Sequence, residues 1–333
     1  MKTYQIIAAA VIALFAHTGS IKAQNTVNIG KSNITLSSRL MTPEAMWAMG
    51  RIASAEASAD GKKIVYQVGY YSVKENKSRQ VICITDANGK NNTQLSTAAA
   101  SETDPTWVNG RIAFLTGGEI WSMEQDGSNR RQLSKTDGSV EGFKFSPDGK
   151  KVIIIKSLPF NDIIQKNPDD LPLATGRRIT DLMYRHWDHY VETIQHPFVA
   201  DVNDDGTIGS TMTDILEGEP YECPMEPFGG IEQLAWSPSS KTVAYTCRKK
   251  TGRDYAISTD SDIYLYDVST KKTVNICKEE GYKPVPVSAT HTMKDQKVNS
   301  VENLKNNPGY DTNPQFSPDG KYVAWQSMAR DGY

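Results

Sequence analysis

The residues best placed for chemistry lie between Asp181 and Glu192. Asp181, Arg185, Asp188 and Glu192 recur at intervals of four, three and four, which on a helix sets them in one charged stripe. The apolar positions Ile179, Leu182, Met183, His186, Trp187, Tyr190 and Val191 keep the same period, so the spacing predicts a helix from about Arg177 to Thr193, ended by His196-Pro197. Two readings fit the stripe. It is either a set of carboxylates offered to a cationic ligand or a solvated face with internal ion pairs.

Two further patterns imitate metal sites. His186-x-x-His189 beside Asp188 supplies only two ligands at a zinc corner with no third in view, which favours ordinary histidines. Asp201-Val202-Asn203-Asp204-Asp205-Gly206 matches the first half of a calcium loop, but position twelve is Met212 and not a bidentate glutamate, so a plain turn is expected. Neither a metal nor a cofactor is called for. Cys83, Cys223, Cys247 and Cys277 lack the paired spacing of a zinc site; a Cys247–Cys277 bridge and buried free thiols are both open.

These residues must be positioned by a repeated unit. Phe143 to Lys156 reads as an alternating strand, the turn Ser146-Pro147-Asp148-Gly149, and a β-branched strand. Proline presets φ, aspartate bonds its own backbone, and glycine accepts positive φ. Copies stand at Ala57 to Lys62 before IVYQV, Trp236-Ser237-Pro238 before TVAYT, and Phe316 to Lys321 before YVAWQ, with a weak copy at Thr106 to Arg111 before IAFLT. Thr106 to Ser146 spans 40 residues, the length of a four-stranded propeller blade. Second halves of blades follow at 82–96, 120–134 and 263–277. The expected fold is all-β, a partial propeller of four-stranded antiparallel blades, each repeat an inner strand. Four blades and the start of a fifth are countable over 41–333, with a helical insertion at about 158–195.

Residues 1–23 open with Lys2, continue with an apolar run from Ile6 to Ala16 and end at Ile21-Lys22-Ala23. This reads as a signal peptide too short to span a bilayer, so the mature chain is expected to be exported, periplasmic or secreted, and free of the membrane. Residues 24–40 are polar and patternless, a flexible leader. Thr42-Pro43-Glu44 then caps a short helix, with Gly50 available as its stop. The charge of −2 makes no electrostatic case for nucleic acid.

The helix Met41-Thr42-Pro43-Glu44 to Trp47, followed at once by a Ser-Ala-Asp-Gly-Lys turn, resembles the mature amino terminus of secreted serine exopeptidases of the prolyl oligopeptidase family. The likeness is to the dipeptidyl peptidase and acylaminoacyl peptidase branch. Tyr184-Arg185-His186-Trp187-Asp188 and Met328-Ala329-Arg330-Asp331-Gly332-Tyr333 are similar to that branch too. The resemblance implies a substrate-gating propeller followed by an α/β-hydrolase domain with a serine triad, peptide substrates, and a possible homo-oligomer. It also implies that acidic residues on the propeller side receive the α-ammonium of the peptide, a role that would fall to the carboxylates of Asp181, Asp188 and Glu192, with Arg185 the fourth substrate-binding member of the stripe. The adjacent glutamate pair of that pattern is missing from this segment; Glu279-Glu280 sits in an apparent turn. No Gly-x-Ser-x-Gly elbow occurs in the 333 residues, so no catalytic residue is assigned and the hydrolase is expected outside this chain. The competing reading is a free-standing periplasmic propeller that binds a protein or ligand.

Overall fold

The structure, a computed structural model, describes residues 29–36, 38–160, 164–165, 169–283 and 305–332. The expected signal peptide lies outside them, as does most of the polar stretch after Gly281. Thr42 caps α1 (Pro43–Ala48), its hydroxyl accepting the Ala45 N–H at 3.2 Å, and Met49, not Gly50, ends it. Among the described leader residues all are exposed but Ile29, which is buried where its carbonyl accepts an Arg79 guanidinium N–H at 3.0 Å.

Four four-stranded antiparallel sheets follow. Blade one holds β1 (Arg51–Ala57), β2 (Lys63–Ser72), β3 (Lys77–Asp86) and β4 (Thr93–Gln94). Blade two holds β5 (Thr103–Val108), β6 (Arg111–Thr116), β7 (Glu119–Met123) and β8 (Arg131–Gln132). Blade three begins with β9 (Gly142–Phe145) and β10 (Lys151–Pro159). The insertion then carries β11 (Ile164–Gln165), β12 (Arg178–Ile179), β13 (Arg185–His186) and β14 (His189–Tyr190). Blade three resumes with β15 (Thr193–Val202) and β16 (Ile208–Asp214). Blade four comprises β17 (Leu234–Trp236), β18 (Thr242–Cys247), β19 (Asp262–Asp267) and β20 (Lys272–Asn275), with α2 (Gly252–Ile257) between β18 and β19. The hairpin of β21 (Asp311–Phe316) and β22 (Val323–Ser327) starts a fifth.

Period-two alternation stacks the blades. Ile112 and Phe114 of β6 pack on blade one while Ala113 packs on blade three. Val152 and Ile154 of β10 face blade two, and Ile153 and Ile155 face blade four. Val243 and Tyr245 of β18 face blade three, whereas Ala244 faces the β21–β22 hairpin. The second strands of blades two, three and four are thus buried on both sides, about 1.5–3 kcal/mol per large side chain relative to exposure. The chain is a partial β-propeller.

The repeat turns are built alike. The Ser146 hydroxyl donates to Asp148 at 2.6 Å and accepts the Lys151 N–H at 2.9 Å, while Gly149 takes φ 66°. Ser317 with Asp319, and Ser58 with Asp60, repeat the arrangement.

The helix expected over 177–193 does not form, and its charged stripe goes with it. β11 pairs with β12, and β13 pairs with β14 around a tip at Trp187-Asp188. Met183 and Trp187 take φ 63° and 29°, which no α-helix accommodates. The segment is rich in β-branched and aromatic residues, which are modest helix formers, and its buried members, His186 and Val191, find partners across the fold. The insertion sits where expected, but it is not helical.

Candidate functional site

β10 and β18 run from the repeat turns to the opposite end of the stack. There the insertion, the residues after β16, the connection carrying α2, and the residues after β22 converge. At their centre is Glu222, 4% exposed. One carboxylate oxygen lies 3.2 Å from His186 Nε2. The other accepts the Tyr255 hydroxyl and, at 3.2 Å, the Glu226 N–H.

Each partner comes from a different element. The β13–β14 hairpin presents His186, α2 presents Tyr255, and Arg248 at the end of β18 lays its guanidinium 3.7 Å from the Tyr255 ring centre. Burial raises the Glu222 carboxyl above the usual carboxylate range, against the opposing hydrogen bond and charge of His186 and the charge of Arg248.

Two cavities share Leu182, Met183 and Tyr255. The smaller, about 250 Å³, is lined by Phe160, Asp181, Val191, Ile194 and Glu222. The larger, about 850 Å³, is lined by Met225, Glu226, Met328 and an aromatic pair, Trp187 and Phe228, set edge to face at 5.4 Å. Trp187 and Phe228 are 75% and 77% exposed, unusual for rings on a soluble surface unless something covers them. A buried carboxylate beside a small, mostly apolar cavity can receive one cationic group with an apolar substituent.

The four residues singled out from the sequence separate. Asp181 lines the small cavity, its carboxylate accepting the Leu182 N–H at 2.7 Å. Arg185 lines the larger one but spends its guanidinium on the Trp187 carbonyl at 3.0 Å, bracing the hairpin tip. Asp188 is solvent-exposed and bonded to His189 Nδ1 at 3.0 Å, and Glu192 pairs with Arg177 at 3.5 Å on the surface. Glu222, Tyr255 and Arg248 went unrecognised in the sequence. The available signal was a carboxylate inside Pro220-Tyr221-Glu222-Cys223-Pro224, an aromatic and apolar context unlike a solvated loop.

The metal look-alikes have other partners. His186 and His189 bond to Glu222 and Asp188 respectively. Asn203 to Thr207 is the turn between β15 and β16, closed by Asn203 N–H to Thr207 C=O at 2.8 Å. Asp262, Cys277 and Asp311 also cluster, all buried. Lys278 lies 3.1 Å from Asp262, the Trp325 indole donates to Asp311 at 3.1 Å, and Cys277 Sγ accepts the Ile263 N–H at 3.2 Å. That last bond is the one Ser96 and Ser134 hydroxyls make to Ile82 and Ile120, so Cys277 closes blade four as serine closes blades one and two. All four cysteines are free and buried.

Dipeptidyl-peptidase 5 of Porphyromonas gingivalis is 41% identical over 299 residues, covering 88% of this chain and 40% of that protein. Over most of its length the chain is thus similar to proteins named dipeptidyl-peptidase 5. Dipeptidyl-peptidase 5 of Porphyromonas endodontalis is 38% identical over 306 residues, covering 90% of this chain and 40% of its own. The chain therefore spans about 40% of the length of these curated relatives. No family model matches it. Among solved structures, Pyrococcus horikoshii acylaminoacyl peptidase aligns with 69% of the chain and 33% of its own at 10% identity and a TM-score of 0.47. Porphyromonas gingivalis dipeptidyl peptidase 4 aligns with 83% of the chain and 36% of its own at 13% identity and a TM-score of 0.44.

Proposed function

We propose that this chain is the substrate-gating propeller part of an exported serine exopeptidase that removes dipeptides or acylated residues from peptide amino termini. In this reading an α/β-hydrolase domain of the same protein supplies the triad, and the cleft opposite the repeat turns receives the amino end of the peptide. The observation that carries the reading is Glu222, a buried carboxylate fixed by donors from three elements beside a cavity sized for one residue. An α-ammonium entering there exchanges water for a charge-assisted bond to Glu222, with Asp181 on the same wall. The first side chain occupies the apolar remainder, and Trp187 and Phe228 flank the chain as it leaves. The relatives' names and greater length support this assignment, and residues 1–23 support export.

The test uses the full-length gene product with chromogenic dipeptide substrates, unblocked and Nα-blocked. Glu222→Gln should lower kcat/KM on the unblocked substrate by the equivalent of about 2–5 kcal/mol, the cost of leaving a buried charge unpaired, and change the blocked one far less. Equal kcat/KM for the variant and the parent on unblocked substrate would remove Glu222 from this role. Amino-terminal sequencing of exported protein should begin at Gln24.

A further inference from the structure

Met328 to Gly332 follows β22 and belongs to no strand, yet Asp331 within it is buried, 7% exposed. Its Oδ2 accepts the Ser258 hydroxyl at 2.7 Å, and its Oδ1 accepts both the Thr259 N–H and the Thr259 hydroxyl, the latter at 3.0 Å. The Thr259 hydroxyl oxygen in turn accepts the Gly332 N–H at 2.9 Å. Ser258 is the residue that ends α2, and Arg248 donates to its carbonyl at 2.9 Å. Asp331 and Arg248 thus grip the same end of α2 from opposite sides.

The helix needs that grip. Six residues are too few to hold a helix on their own, and Thr251 at its start makes no side-chain capping bond. A carboxylate beside the C-terminal end of a helix also faces the negative pole of the dipole, so Asp331 is not there to stabilise the helix electrostatically. Its contribution is a rigid set of hydrogen bonds reaching 72 and 73 residues back along the chain. What α2 carries is Tyr255, whose ring stacks on Arg248 and whose hydroxyl holds Glu222.

We propose that Asp331 is a positioning residue for the anchoring carboxylate: by fixing the Ser258–Thr259 turn it sets where Tyr255 stands and hence where Glu222 points. This rests on the reading of Glu222 as the ammonium anchor. It makes the fifth blade's first hairpin part of the peptide site without touching the peptide. The groups facing Glu222 are His186 from β13, Tyr255 from α2, Arg248 from the end of β18, Glu226 from its own loop, and Asp181 and Lys250 from the cavity wall. Of these, Tyr255 and Arg248 are held to the turn that Asp331 grips.

The experiment compares Asp331→Asn, Tyr255→Phe and the double variant in the full-length gene product. Loss of the Tyr255 donor should move the acid limb of kcat/KM to higher pH and raise KM for an unblocked dipeptide substrate by about fivefold, the equivalent of one hydrogen bond. Asp331→Asn should move the limb the same way, and the double variant should match Tyr255→Phe alone. An unmoved limb in Asp331→Asn, or additive effects in the double variant, would overturn the proposal. Amide hydrogen exchange supplies a readout independent of substrate. Asp331→Asn should speed exchange at 251–259 and at 220–226 and leave blades one and two unchanged, whereas a rise confined to 251–259 speaks against it. Should Glu222→Gln retain kcat/KM, the anchor reading fails, and exchange at 220–226 alone judges whether Asp331 positions that loop.

Discussion

The two ends of the blade stack are connected by opposite means. At the repeat-turn end, most bonds are local: the Ser146 and Asp148 side chains and the Gly149 N–H bond within five residues, and the Asp148 N–H alone among them reaches further, donating to the Ser240 hydroxyl of the next turn at 3.2 Å. At the other end, almost nothing is local. His186 reaches Glu222 across 36 residues, Tyr255 across 33, and Asp331 reaches Ser258 across 73. Turns closed mainly by their own residues tolerate change in their neighbours, whereas a long-range network fails or shifts as a unit. The first end is a scaffold, and the second has the interdependence a recognition site needs.

The sharpest way to separate the two ends is pH. The Glu222 carboxyl is raised by burial, so on acidification it takes a proton before ordinary carboxylates do. In the full-length gene product, kcat/KM on an unblocked substrate should fall about tenfold per pH unit below that raised value, and Glu222→Gln should abolish the limb. For stability the sign is reversed. The folded protein binds this proton more tightly than the unfolded chain, so the contribution is present below the ordinary carboxylate pKa and lost as pH rises through the folded one. Asp60, Asp148 and Asp319 at the turn end are instead lowered, chiefly by their serine hydroxyls, and should contribute no such activity limb.

His186→Ala comes next. It leaves Glu222 buried with one donor fewer and should destabilise by about 3 kcal/mol, read as a drop in the urea midpoint at constant slope. At the turn end, Gly149→Ala places a methyl in the left-handed region and 2.6 Å from Asn109 Oδ1. The expected loss is about 1–2 kcal/mol with kcat/KM unchanged. A change in kcat/KM would show that the ends communicate through the blades.

The smallest effect is expected for Asp188→Ala with Glu192→Ala. Their side chains are 89% and 60% exposed, and both KM and melting temperature should stay at the parent values. A raised KM would restore the charged stripe as a substrate contact and demote Glu222.

The repeat turns, the second strands and the α1 cap were legible because each is specified by neighbours in the chain. Ser-Pro-Asp-Gly dictates its own φ angles, and the apolar runs in VIIIK and IAFLT read as strands directly after their turns. The blade count followed from the 40-residue spacing. The insertion was misread because helical spacing over 177–193 is satisfied equally well by a folded-back chain whose apolar residues find distant partners. Nothing local distinguishes His186 turned toward Glu222 from His186 on a helix face. Glu222 itself stands in a loop without periodicity, and its meaning comes from residues as far away in sequence as Asp331. Local bonding, whose partners lie within a turn of chain, was determined by the sequence alone. The carboxylate site required loop ends from blades three, four and five to meet, and only the tertiary structure decided that.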